Sequence, residues 1–232
     1  LSPGMKDGVL TVAPEKNVTT ITNISDIEFM QCSEEERLLF RKQQLTMLDD
    51  QDLLVVYTGT LGEINGVSYL VKLAKAVYDS GHTNIKFLVV GAGKEECLVR
   101  KTAENIGVYD LNFFMLRSMA KSDIPKIYAN AVMGFSLFIP VSKMYHNSAN
   151  KFFDCLASGT PISINYLGWQ KEELERNGAG IILDQQDYKR AAEQLILTIM
   201  NKETLSQMSV NAKKLAYKFE KKVAVECLEN VV

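Results

Sequence analysis

The residues best placed to do chemistry lie close together, between Ser142 and Pro161. A polar loop, Ser142-Lys143-Met144-Tyr145-His146-Asn147, leads into Ser148-Ala149-Asn150-Lys151-Phe152-Phe153-Asp154-Cys155-Leu156-Ala157. This second stretch predicts a helix, which Ser158-Gly159-Thr160-Pro161 then stops. A helix N-terminus presents unpaired amides and the positive end of the helix dipole, so a diphosphate is stabilised there. Lys151 on the first turn adds a full positive charge, and Asp154, one turn further along, offers a carboxylate to ribose hydroxyls. Asn147, Ser148 and Asn150 surround the opening with hydrogen-bonding groups. A plainer arrangement uses the same residues: Asn147 or Ser148 caps the helix, Lys151 is solvated and Asp154 pairs with a neighbour.

Three further segments carry weaker signals. The glycines of Gly59-Thr60-Leu61-Gly62 let the backbone approach a ligand and offer it amides, or simply make a tight turn. Gly91-Ala92-Gly93-Lys94 begins like a dinucleotide fingerprint, but Glu96 stands where the third glycine belongs, which favours plain turn geometry. Arg117, in Leu116-Arg117-Ser118, either stacks on a base or points into solvent. Glu95-Glu96 and Glu172-Glu173 are adjacent residues that point apart on a helix, so they read as solvated surface rather than as a hydrolytic pair. Cys32, Cys97, Cys155 and Cys227 show no C-x-x-C spacing, and no zinc site or disulfide framework follows. Cys97 and Cys155 fall within helical patterns, as small buried thiols do.

These segments need a scaffold, and the hydrophobic pattern supplies one. Leu53–Tyr57 is a β-rich run, and Val67, Leu70, Val71, Ala74 and Val77 then follow at helical spacing until Gly81. Ile85–Val90 is again continuous and apolar, as suits a parallel strand covered on both faces. The alternation predicts helix 94–106, strand 111–116, helix 122–130, strand 132–138, helix 148–157, strand 162–166, helix 169–176 and strand 180–183. Helices from Tyr188 to about the C-terminus complete it. Strand–helix units at this spacing imply right-handed crossovers and an α/β fold, a doubly wound, Rossmann-like open parallel sheet of about six strands. Ligands of such sheets bind beyond the carboxyl ends of the strands, where all four segments fall. Residues 1–50 differ: Leu10–Val12 and Val18–Ile21 read as short strand-like pieces, and Ser33 N-caps a charged helix with Glu36 three residues on. They read as a connector into a main domain at 51–232.

Bulk properties narrow the class. A chain of 232 residues fits one generous domain, or one domain and a fragment, at roughly 150 residues per domain. A formal charge of −2 argues against a dedicated nucleic-acid binder. The longest apolar run, Val132 to Val141, is about half of the ~20 residues that a membrane helix needs. With no signal-peptide pattern, a cytoplasmic location is expected. The chain begins at Leu1, and it reads as part of a longer polypeptide.

The same residues resemble a known family. The stretch from Asn150 to Ile162 is similar to the "nK-hydrophobic-E-(Y/A)-(L/M)-A-(S/A)-G-K-P-(V/I)" block of family-4-type glycosyltransferases of the GT-B fold, common in bacterial polysaccharide synthesis. Val55 to Gly62, with Gly66 beyond, resembles that family's first strand and turn, and Phe87 to Gly93 its second strand. Thr19 to Asp26 resembles the "(V/I)-x-N-G-V-D" segment that enters the C-terminal domain, and Ser2 to Met5 the end of the N-terminal domain. The resemblance covers essentially the whole chain.

It implies the C-terminal, donor-binding domain of a hexosyltransferase-type enzyme. The donor would be a nucleoside-diphosphate sugar of UDP or GDP type, with no cofactor and no metal. The acceptor, a saccharide or a lipid-linked sugar, would bind a separate N-terminal domain. Membrane contact is expected only through the full-length protein, at the inner face, and the fragment alone is expected to be inactive. In the family's E-x7-E motif the second acid holds the ribose, and Asp154 occupies that place. The first acid, which faces the sugar, is His146 here, either a donor-sugar contact or an exposed loop histidine. Relatives carry an arginine and a lysine near the first turn, where this chain has the neutral Thr60 and Asn65. Lys151 replaces part of that charge. These departures also admit a non-catalytic nucleotide-binding module of the same fold.

Overall fold

The computed structural model describes residues 2–229. Six parallel strands form a single sheet among them: β1 (Leu53–Thr58), β2 (Ile85–Val90), β3 (Phe113–Leu116), β4 (Met133–Ser136), β5 (Ile162–Ile164) and β6 (Gly180–Ile182). Their spatial order is β3-β2-β1-β4-β5-β6. Residue Val55 lies opposite Phe87 on one side and Met133 on the other. The chain winds outward from β1 to β3, then crosses back to lay β4 on the other side of β1. The carboxyl ends of β1 and β4 therefore form the topological switch point, where such sheets bind ligands.

Alternate residues of β1 enter two separate cores, because successive strand side chains point to opposite faces. Val55 and Tyr57 pack beneath α3 (Ser68–Asp79), α4 (Glu96–Asn105) and α8 (Tyr188–Met200). Leu54 and Val56 pack beneath α5 (Ile124–Ala129), α6 (Asn150–Ser158), α7 (Trp169–Asn177) and α9 (Lys202–Lys218). This double burial explains why the strands read as unbroken apolar runs. Burying each of the enclosed Phe152 and Phe153 side chains contributes roughly 1.5–3 kcal/mol. Gly134 in β4 brings α6 close, since a Cβ there would fall 2.4 Å from Cys155 Sγ.

The connector departs from expectation. Leu10–Val12, expected as strand, is the last turn of α1 (Pro3–Val12). Ser2 caps that helix by accepting from the Met5 amide, and Pro3 supplies a pre-set first turn; these start signals override the local β-propensity. Residues 18–21 form no strand: in this segment Thr20 and Ile21 instead line a concavity with Phe219 and Val223. Just beyond it, the Ser25 amide donates to Phe219 O and its hydroxyl to Phe153 O. The predicted capping box is present, opening α2 (Glu34–Gln44), with Ser33 and Glu36 bonded reciprocally.

Two surface expectations also change. Cys97 is exposed, whereas Cys155 is buried as expected. Glu173 is buried, not solvated, because α9 covers it and Lys218 Nζ bonds both of its carboxylate oxygens at 2.7 Å. The helical run toward the C-terminus ends, among the described residues, with α10 (Lys221–Glu229), and the last residues of that expectation lie outside them.

Candidate functional site

At the switch point, the turn after β1 is tied to the neighbouring strand end. The Gly59 amide donates to Val90 O and the Leu61 amide to Ala92 O. Thr60 and Gly62 keep amides with no acceptor among the described residues. A Cβ at Gly91 would sit 1.9 Å from Gly59 O, and one at Gly93 would sit 2.4 Å from Leu61 O. The Gly91-Ala92-Gly93 segment is therefore glycine-rich so that two turns can interlock.

Across this turn lies the N-terminus of α6. Ala149 occupies the N-cap and provides no side-chain bond. Neither Asn147 nor Ser148 caps the helix: Asn147 Oδ1 accepts from the Ser148 amide at 2.7 Å, and Ser148 Oγ is buried without a partner among the described residues. The side chains of Ser33, Asp187 and Asn201 cap α2, α8 and α9, whereas α6, like α3, α4, α5 and α7, has no side-chain cap. The amides of Ala149, Asn150 and Lys151 consequently stay open, and open first-turn amides are what an anion takes up.

The ionisable groups are held at a disadvantage. Lys151 leans over the Gly59 turn: a Cβ on that glycine would lie 3.2 Å from Lys151 Cε. Its ammonium lies 5.0 Å from the centre of the Tyr57 ring and 3.5 Å from Asn65 Oδ1. Burial lowers its pKa to about 8, against the opposing pull of Cys155 and Asp154. Asp154 has no hydrogen bond or ion pair among the described residues. Burial raises its carboxyl to about 6, although Lys121 and Lys151 favour its charge. The Tyr57 phenol, pushed up by burial, stays neutral and donates to Thr60 O. A polyanion would relieve the unpaired ammonium, and hydroxyl donors would relieve the carboxylate.

The family profile described as "Glycosyl transferases group 1" matches residues 41–215, most of the chain. This chain belongs to that family. Solved structures agree in fold. A TarM variant from S. aureus, in complex with Fondaparinux, alpha-GlcNAc-glycerol and UDP, superposes with a TM-score of 0.77 at 14% identity, covering 99% of this chain and 42% of that one. Alr3699/HepE from Anabaena, in complex with UDP-glucose, gives 0.75 at 16%, covering 92% and 57%. The C-terminal domain of LpcC, a group 1 family protein from Francisella tularensis, gives 0.66 at 11%, covering 84% and 98%. The chain thus spans about half of the first two and nearly all of the isolated third domain. Against curated proteins, the sequence itself finds no match.

Within this glycosyltransferase domain, the predicted residues divide into two groups. Gly59, Thr60, Gly62, Asn147, Ser148, Asn150, Lys151 and Asp154 gather around the switch point. Arg117 is exposed after β3. His146 is exposed too, and its ring lies over α1, where a Cβ at Gly4 would meet Nδ1 at 1.9 Å. Three participants escaped the sequence reading: Tyr57, Lys121 and Asn23, which donates to Asn150 Oδ1. Asn23 had a signal, since it lies inside the segment 19–26 that resembled the family.

A concavity of about 530 Å³ opens elsewhere, beside the far end of α6, between Met30, Cys32, Ala129, Ser158 and Tyr217. It contains none of the charged groups of the switch point. Among the described residues no group of three His, Cys, Asp or Glu could hold a metal ion, and no helix is long and apolar enough to cross a membrane.

Proposed function

We propose that this domain binds the donor of a glycosyl transfer, a nucleoside-diphosphate sugar of UDP or GDP type. The observation that carries the proposal is the uncapped start of α6, where open amides, the desolvated Lys151 ammonium and the unpartnered Asp154 carboxylate meet the Gly59–Gly62 turn. The diphosphate lies across the turn and the helix start, and Asp154 accepts from the ribose hydroxyls. Arg117 reaches the base in this reading and His146 the sugar. UDP in the TarM and HepE structures favours a uridine nucleotide.

The chemistry follows from charge. As the bond between the sugar and the terminal phosphate oxygen breaks, negative charge grows on that oxygen. Amides and an ammonium already in place stabilise it without reorganising, and removing one such donor from a preorganised site costs roughly 3–4 kcal/mol of transition-state stabilisation. The acceptor, a saccharide or lipid-linked sugar of polysaccharide synthesis, takes its place on a second domain. The domain alone therefore binds donor without turnover. In this reading the parent is a family-4-type bacterial hexosyltransferase, cytoplasmic and peripheral at the inner membrane face.

Calorimetric titration with UDP, GDP, ADP and NAD tests the proposal, with Lys151→Ala and Asp154→Ala as controls. One nucleoside diphosphate should bind, about tenfold or more weakly in each variant, equivalent to about 1.4 kcal/mol. Binding of NAD alone would sink the reading. A second reading, a nucleotide-binding module without catalysis, is favoured by His146 in place of the sugar-facing acid and by the neutral Thr60 and Asn65. Donor hydrolysis or transfer by the full-length protein separates the two.

A further inference from the structure

Three consecutive carbonyls before α6 are held by side chains from distant parts of the chain. Ser2 Oγ donates to His146 O. Trp169 Nε1 donates to Asn147 O at 3.0 Å, and Asn23 Nδ2 donates to Ser148 O at 2.7 Å. The second Asn23 amide hydrogen reaches Asn150 Oδ1 at 2.6 Å.

Each donor is itself anchored. Ser2 is fully buried and caps α1. The Trp169 ring sits among Phe152, Phe153 and Phe219, with centroids 5.9, 6.2 and 6.0 Å away. Asn23 lies two residues before Ser25, whose amide and hydroxyl are bonded to Phe219 O and Phe153 O. Irregular backbone has no ladder to orient it, so its carbonyls follow whichever partners they find.

The peptide unit is planar and trans, so fixing a carbonyl fixes the following N–H in the opposite direction. The bond from Trp169 sets the Ser148 amide, which Asn147 Oδ1 receives. The bond from Asn23 sets the Ala149 amide, the first of the three that lack an acceptor. We propose that Ser2, Asn23 and Trp169 form a clamp that presets the amide cradle at the start of α6, acting as positioning residues for the donor diphosphate. The inference rests on the donor-site reading above. Since α1 is seated on His146 through Gly4, the position of the connector is transmitted to the cradle by the same contacts.

The test compares wild type with Ser2→Ala, Asn23→Ala and Trp169→Phe; the last removes the indole donor and leaves a smaller aromatic ring among Phe152, Phe153 and Phe219. Amide hydrogen exchange at Asn147 and Ser148, whose amides are bonded to Met144 O and Asn147 Oδ1, measured without nucleotide, should rise about tenfold in each variant while β1 and β2 keep their protection. Titration with UDP-glucose, UDP, GDP and ADP should show affinity about tenfold weaker, as expected when a preset site must be ordered on binding. The chain has one tryptophan, so Trp169 emission in wild type and in Asn23→Ala reports this loop directly. Unchanged exchange in all three variants overturns the clamp. Faster exchange with unchanged affinity overturns its role in donor binding. A wild-type chain that takes up none of the four nucleotides overturns the donor-site reading instead, and the exchange data alone then decide whether the clamp exists.

Discussion

Replacing Asp154 by asparagine should make the protein more stable and its donor binding weaker. Burial raises this carboxyl from its ordinary 3.8 to about 6. At about 1.4 kcal/mol per pH unit, ionising it in the folded chain costs up to about 3 kcal/mol more than in the unfolded chain. The sign follows from the proton: the folded state holds it more tightly, so stability is greatest below the unfolded pKa of 3.8, falls as pH rises to about 6, and is flat beyond. Asparagine has nearly the same shape and never ionises. Because the side chain keeps some contact with water, the gain at pH 7 is set at about 1–2 kcal/mol. For a domain of this size that corresponds to a Tm increase of about 2–8 °C. Urea denaturation at intervals from about pH 4 to about pH 7 should show the advantage small at the acid end and complete at the neutral end. UDP-glucose affinity should fall about tenfold or more in the same variant. An asparagine variant less stable at neutral pH, or one whose advantage is independent of pH, would refute the reasoning.

Other outcomes follow from the same structure. Binding of UDP-glucose, whose diphosphate does not titrate near neutrality, should weaken below about pH 6 as Asp154 is protonated and above about pH 8 as Lys151 loses its proton; calorimetry across that range checks both limbs. Gly91→Ala places a Cβ 1.9 Å from Gly59 O and should destabilise by about 2 kcal/mol or more, read as a lower urea midpoint. Lys218→Ala leaves the buried Glu173 carboxylate, among the described residues, with the exposed Arg176 as its remaining ion-pair partner, and should lower Tm by about 2–4 °C, consistent with about 1 kcal/mol.

Much of the candidate site was legible because it is local in sequence. Lys151 and Asp154 are one helical turn apart, and a helix start is recognisable from its flanking residues. What flanks it in space was not legible. Asn147 and Ser148 are good capping types, yet Asn147 Oδ1 bonds the next amide and Ser148 Oγ finds no partner among the described residues, because the loop's course is set by Ser2, Asn23 and Trp169. Glu173 looked like surface because the helix that buries it comes about 45 residues later, through the bond to Lys218. Leu10–Val12 has strand-forming residue types, but the Ser2-Pro3 start makes it a helix end.

The sequence by itself determined the alternation of strands and helices, the parallel sheet and the family. Those depend on residue type and spacing within a few turns of chain, and apolar runs covered on both faces admit few other arrangements. Only the tertiary structure decided which amides stay open, which charges are desolvated and what holds the loop before α6. Hydrogen-bond partners more than a hundred residues apart, and the solvent they exclude, exist only once the chain has folded.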